Sequence, residues 1–209
     1  RPMLAQFFQI ALTIVIIIDP IGIVPLFISS TGHLDAGRKR ATIRKAISVA
    51  AVVLAVFILG GRYILSFFAI SPGAFYVAGG IVFFMISLDM LLGQKKRTKT
   101  SVEEEADEEH LEVAVFPLAI PMIAGPGTIT TLMLYSAGTS EPLAMVAMLF
   151  GAVALALVLV WAAMRSSAVI LRVLGKTGVS VIERMMGLVL SGLAVQFVYD
   201  GLERLGLAG

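Results

Sequence analysis

Six runs of about twenty apolar residues divide this chain, and no other feature limits its fold so strongly. They cover approximately residues 4–30, 46–68, 72–92, 113–137, 142–164 and 181–202. A helix of about twenty residues is long enough to cross the roughly 30 Å hydrocarbon core of a bilayer. In lipid every backbone amide and carbonyl must find a partner within the protein, as they do in a helix. Runs this long and this continuously apolar favour helices. Only 14% of the residues are charged while 58% are hydrophobic, too little charge to cover a soluble domain of this size. The expected class is therefore an all-α integral membrane protein with six transmembrane helices.

Composition also narrows the chemistry. The net charge of +2 comes from positive residues in short clusters between apolar runs, which argues against a nucleic-acid partner. The chain has no cysteine, which excludes disulfides, thiolate metal sites and iron–sulfur clusters. There is no Walker-type phosphate loop, dinucleotide fingerprint, zinc-protease motif or nucleophile elbow, so neither an enzyme nor an ATP-driven pump is expected. No cofactor or metal is expected either. The bilayer is the evident partner, and an assembly of several copies is compatible with the sequence.

Local signals mark the helix ends. Ser71-Pro72 and Glu141-Pro142 read as cap residues followed by proline at the first helical position, and Ser180 with Glu183 reads as a capping box for the sixth helix. The basic residues set an orientation. Arg38, Lys39, Arg40, Arg44 and Lys45 follow the first run; Lys95, Lys96, Arg97 and Lys99 follow the third; Arg165, Arg172, Lys176 and Arg184 surround the fifth-to-sixth connection. The positive-inside rule then puts the first, third and fifth connections in the cytoplasm and both termini outside. The polar stretch between the halves, residues 94–112, is expected to be a solvated cytoplasmic linker.

The halves on either side of that linker, residues 1–93 and 113–209, look alike. Each has three apolar runs and opens with one interrupted by Gly and Pro. "DPIG" at Asp19–Gly22 corresponds to "GPGT" at Gly125–Thr128, with Pro20 opposite Pro126. "GGIVFFMISLD" corresponds more loosely to "MGLVLSGLAVQ", which sets Asp89 opposite Gln196. An odd number of crossings per copy inverts the second, so the expected plan is a 3+3 inverted repeat, common among secondary transporters.

The interruptions carry the candidate site. Pro20 and Pro25 remove backbone donors, and Gly22 relaxes the chain between them. Pro117, Pro121 and Pro126 do the same in the fourth run, with Gly125 and Gly127 around the last. Breaks in the first and fourth helices near the bilayer midplane would free amides and carbonyls for a ligand, since lipid cannot satisfy them. A half-helix starting at Gly127 would offer amides to a carboxylate, with the hydroxyls of Thr128, Thr130 and Thr131 nearby. Asp19 is the outstanding residue, because an acid at the centre of a membrane helix costs at least about 2.5–3.5 kcal/mol to insert. It is a candidate for a substrate ammonium, for Na⁺ or for a coupling proton; a purely structural role is to cap the amides released at Gly22. Asp89 and Gln196 are candidate pathway residues, although interfacial solvation explains both. Gly79, Gly80, Gly187 and Gly192 are expected to permit close helix packing.

"DPIGIVPLF" together with "PLAIPMIAGPGTITTLM" resembles the paired signature of the MarC family, also called the six-helix, SnatA-like neutral amino acid transporter family. The matching residues are Asp19, Pro20, Gly22 and Pro25, then Pro117, Leu118, Ala119, Pro121, Gly125, Pro126 and Gly127. "GLVLSGLAVQFVYDGL" at 187–202 is similar to the family's last helix, so the likeness spans nearly the whole chain. The resemblance implies an inner-membrane transporter of small neutral amino acids such as glycine, alanine or serine, energised by an H⁺ or Na⁺ gradient. Its substrate site would comprise Asp19, Pro20, Gly22, Gly125, Pro126, Gly127, Thr128, Ile129 and Thr131. A channel using the breaks as a filter is the rival reading, with an intramembrane hydrolase a distant third.

Overall fold

The computed structural model describes residues 3–92, 112–137 and 142–207. The regular structure of these residues is helical throughout, in eight segments: α1 (Met3–Ile18), α2 (Ile23–Thr31), α3 (Ala36–Phe67), α4 (Pro72–Leu92), α5 (Ala114–Ile123), α6 (Pro126–Ala137), α7 (Pro142–Arg165) and α8 (Ser167–Arg204). Four stretches are long and apolar enough to cross a membrane, namely Ala36–Gly61, Pro72–Leu92, Leu143–Ile170 and Ser180–Arg204; there are six if α1–α2 and α5–α6 each form one bent span. The linker 94–112 lies outside the described residues apart from Glu112, as does Glu141.

Within the apolar stretches, apolar side chains occupy outward as well as buried positions, as lipid contact requires. On α1, Ile10, Ala11, Ile14 and Ile18 are buried, while Phe8, Leu12 and Ile16 face outward. The two bent pairs have local causes. The α1 helix ends before Pro20, whose ring disfavours helical backbone in the residue ahead of it, and Asp19 takes a positive φ of 48°. The axis turns by 41° before α2 resumes, and Pro25 falls in the first turn of α2, where its missing amide hydrogen matters least. The second pair is bent by 48°. Its first member, α5, is not the regular helix expected over 113–137. Phe116 and Ile120 are extended, each preceding a cis-bonded proline, Pro117 and Pro121, so the backbone coils in wide turns up to Ala124.

Three helix starts differ from, or agree with, the sequence expectation for clear reasons. Ser71 caps α4 as expected, its Oγ accepting from the Ala74 amide at 3.1 Å. The α3 helix begins ten residues before position 46, because Asp35 caps it by accepting from the amides of Gly37 (2.7 Å) and Arg38 (3.0 Å). The basic cluster after the first run is thus part of a helix. Ser180 does not open the last helix; α8 runs through it, and the deviation lies at Gly175, where φ is +63°.

The helices pair in a definite pattern. The longest seam joins α4 to α8, running antiparallel: Gly73 meets Gly201, Gly80 meets Ala194 and Val198, and Met90 and Leu91 meet Gly187. Small buried residues recur every seven positions on both helices, Gly73, Gly80 and Ser87 against Gly187, Ala194 and Gly201. With so little side chain between them the backbones approach closely, the packing that stabilises membrane helices where no hydrophobic drive exists. Gly192 is the exception among the expected packing glycines, with nothing within 4 Å of where its Cβ would be. Elsewhere α1 packs on α7, α3 on α5, α6 and α7, and α2 on α8.

Candidate functional site

At the first interruption the local chemistry explains the sequence residue by residue. The Asp19 carboxylate folds back over the break, and its Oδ1 accepts from the Gly22 amide at 3.0 Å. A Cβ on Gly22 would lie 2.1 Å from Asp19 Oδ2, so glycine is needed to make room for the carboxylate. Asp19 is therefore a cap, and Oδ2 accepts no hydrogen bond among the described residues. Beside it lies a cavity of about 20 Å³, lined by Asp19, Gly22, Met90, Met122, Met186, Val189, Leu190 and Leu193. That space admits about one water molecule. Three thioethers from three elements (α4, α5 and α8) form much of its wall, and the Met186 methyl would be 3.1 Å from a Cβ on Gly22.

The second interruption is packed differently. Pro126 opens α6 and sits on Gly79 of α4, where a Cβ would come 2.0 Å from the ring. Gly125 faces the Pro121 carbonyl and Phe83, and Gly127 faces Phe197 and Ile17. The Ile129 amide is already taken, donating to the Gly125 carbonyl at 2.9 Å. Of the amides at the start of α6, Gly127 and Thr128 remain as first-turn donors without a helical acceptor. Thr128 and Thr130 are buried, and the Thr130 hydroxyl has no partner among the described residues; Thr131 is half-exposed. Phe197 stacks edge-on against Tyr76 and at a tilt against Phe83, both at 5.5 Å between centroids, so an aromatic cluster covers the start of α6.

The two breaks are neighbours but do not share one cavity. Ile17, two residues before Asp19, lies against Gly127, and Met122, just before Gly125, reaches the Asp19 cavity. Pro20, Gly125, Pro126, Gly127, Thr128, Ile129 and Thr131 do not line that cavity. Asp89 and Gln196 are not brought to it either. Both are exposed, and Gln196 Nε2 donates to Asp200 Oδ1 on its own helix. Sequence reasoning missed the methionine wall and the aromatic cover, because Met and Phe inside apolar runs look the same as lipid-facing filler. No group of three His, Asp or Glu side chains capable of holding a metal occurs among the described residues.

Comparison with known proteins agrees with this architecture. The chain matches the model of MarC family integral membrane proteins over residues 4–205. It is 41% identical over 187 residues to a UPF0056 membrane protein of Pyrococcus horikoshii, covering 90% of this chain and 89% of the relative. It is also 33% identical to the UPF0056 membrane protein YhcE of Escherichia coli (94% and 92% covered) and 32% identical to the inner membrane protein YhgN of the same organism (92% and 94% covered). No solved structure matches it. With the family model matched along nearly its whole length and a relative 41% identical over 90% of it, the chain belongs to the MarC family of integral membrane proteins.

Proposed function

We propose that this chain is a secondary transporter carrying small neutral amino acids, of the glycine, alanine and serine class, across the inner membrane by alternating access. The observation that carries this reading is the approach of two helix interruptions of opposite character. One presents a carboxylate, Asp19, and the other the first amides of α6; Ile17 lies against Gly127 and Met122 lines the Asp19 cavity. A zwitterion has a complement for each. Its ammonium would meet Asp19, and its carboxylate the amides of Gly127 and Thr128, aided by the positive end of α6 and the Thr130 hydroxyl. A proton or Na⁺ gradient would supply the driving force, with Asp19 as the coupling group or the ammonium partner. The connections rich in Lys and Arg would face the cytoplasm.

The helix pairing supports a 3+3 inverted repeat. Exchanging the halves turns the packing of α1 on α7 into that of α5–α6 on α3, and the packing of α2 on α8 into that of α6 on α4. The seams α3–α7 and α4–α8 map onto themselves. Such symmetry is the usual basis for two states of opposite openness. A cavity of about 20 Å³ is too small for an amino acid, so on this reading a substrate would enter a state in which the methionine wall has opened.

The test is uptake of labelled alanine into liposomes under imposed H⁺ or Na⁺ gradients. Saturable, gradient-driven uptake is expected. Flux that does not saturate would favour a channel, and no flux of glycine, alanine or serine would refute the substrate assignment.

A further inference from the structure

A second, larger space lies away from the Asp19 site. Between α3 and α7 a groove of about 410 Å³ is lined by Gly37, Arg40, Ile43, Arg44, Trp161 and Arg165. Arg40 and Arg44 are one turn apart on α3, and Trp161 and Arg165 are one turn apart on α7, so two helix faces converge on one opening. We propose that this groove binds the phosphate headgroup of an anionic phospholipid.

The argument rests on charge, shape and level. Three guanidiniums line one groove and raise the local positive potential, which attracts anions to it. Among the described residues none of the three has a carboxylate within ion-pair distance. Asp35, at the start of α3, is already engaged: it accepts the Gly37 and Arg38 amides and lies 3.7 Å from Arg38 Nε. Arginine forks match phosphate oxygens in a way that a point charge does not. The sequence puts the groove at the end of an apolar run. The apolar run of α7 ends at Met164, Arg165 follows in its last turn, and the half-exposed indole of Trp161 is of the kind that settles at headgroup depth. This is also the side on which the sequence concentrates Lys and Arg, where basic clefts between helices recognise anionic headgroups. The groove is about twenty times larger than the Asp19 cavity, ample for a headgroup where the other admits a water.

Trp161 is the chain's only tryptophan, so its fluorescence reports on the groove alone. The full chain is reconstituted in nanodiscs of phosphatidylcholine with a minority of phosphatidylglycerol, with bromine-labelled acyl chains on one lipid at a time. Brominated phosphatidylglycerol is expected to quench Trp161 several times more, mole for mole, than brominated phosphatidylcholine. Near a surface each basic residue contributes up to about a fivefold preference, so Arg40→Gln, Arg44→Gln and Arg165→Gln together should abolish it, bringing the two lipids to equal quenching. Lys39→Gln, Lys45→Gln and Arg184→Gln, which remove the same charge outside the groove, should leave most of it. If the groove triple variant does not reconstitute, Arg165→Gln alone must still lower the preference about fivefold. Equal quenching by both lipids in the native chain would overturn the proposal, and so would equal loss in the two triple variants. Abolition of the preference by millimolar inorganic phosphate would also overturn it, placing a free anion in the groove instead.

Discussion

Replacing Asp19 with asparagine separates the two jobs the structure allows it. Asparagine tolerates the positive φ at this position better than other non-glycine residues, and its side-chain oxygen can still accept from the Gly22 amide at 3.0 Å. The backbone break and the cap survive, and only the charge is lost. A hydrogen bond to a charged group contributes about 1.5–3 kcal/mol and a neutral one about 0.5–1.5, so Asp19→Asn should destabilise the protein by about 1 kcal/mol. Asp19→Ala removes the acceptor and strains the backbone, and should cost about 3 kcal/mol in all. The effect on transport should be much larger than the effect on stability. An ammonium about 4 Å from a carboxylate gains about 4 kcal/mol at an effective dielectric of about 20. Even if desolvation removes half of that, uptake efficiency falls about thirtyfold.

The assay pairs thermal unfolding in detergent with two liposome measurements, gradient-driven uptake of labelled alanine and its exchange without any gradient. If Asp19 holds the substrate ammonium, Asp19→Asn loses both uptake and exchange. If it carries the coupling proton or Na⁺, exchange persists and the response to the gradient disappears. A variant that unfolds within about 1 kcal/mol of the native protein and keeps both activities within about twofold would refute any role for the charge. Asp19 would then be a cap alone.

Other perturbations probe the scaffold and the wall. A methyl at Gly80 would meet the Ala194 carbonyl at 2.7 Å and the Val198 amide at 3.0 Å, backbone that cannot step aside. Gly80→Ala should therefore destabilise the α4–α8 seam by about 1–3 kcal/mol, whereas Gly192→Ala, made into open space, should gain up to about 1 kcal/mol from helix propensity; unfolding in detergent checks both. Met186→Ala should enlarge the Asp19 cavity and raise uptake of valine or leucine relative to alanine severalfold, read in competition assays. Hydrogen bonds from the Arg38 and Gly37 amides hold the Asp35 carboxyl below its usual range. Its capping contribution is thus fully present above the ordinary aspartate pKa and is lost as pH falls through the lowered value. Protection factors of the amides at the start of α3 should fall there in the native chain, and Asp35→Asn should flatten that pH dependence.

Much of the fold was legible because lipid imposes few solutions. Runs of about twenty apolar residues favour helices, and Pro20 and Pro126 lie where the two bent pairs turn. The cap at Ser71 was visible for the same reason, since its signal is entirely local. Errors arose where a local signal competed with another of equal standing. Ser180 and Glu183 have the spacing of a capping box, but a serine and a glutamate are also compatible with the interior of a long helix, and the deviation occurs at Gly175, where glycine alone relieves a positive φ. At α3 the basic cluster looked like a loop, although Asp35 two residues before Gly37 was the available start signal.

The candidate site was legible on its polar side and invisible on its apolar side, and the difference has a physical cause. A charge in lipid needs a partner, so Asp19 points to its own surroundings: something must donate to it, and Gly22 does. Met90, Met122 and Met186 impose no such demand. A thioether is equally at ease against lipid, in a helix seam or around a cavity, so only three-dimensional packing distinguishes those positions. The same softness suits them to a wall that would have to move in the proposed transport cycle. A methionine can change rotamer at small cost and follow a substrate of varying size, whereas a β-branched residue is stiff at its first torsion. On this argument Met186→Ile, which keeps the apolar surface but not the flexibility, should slow transport even of glycine while leaving stability nearly unchanged. Unaltered glycine uptake in that variant would mean that the opening occurs elsewhere in the molecule.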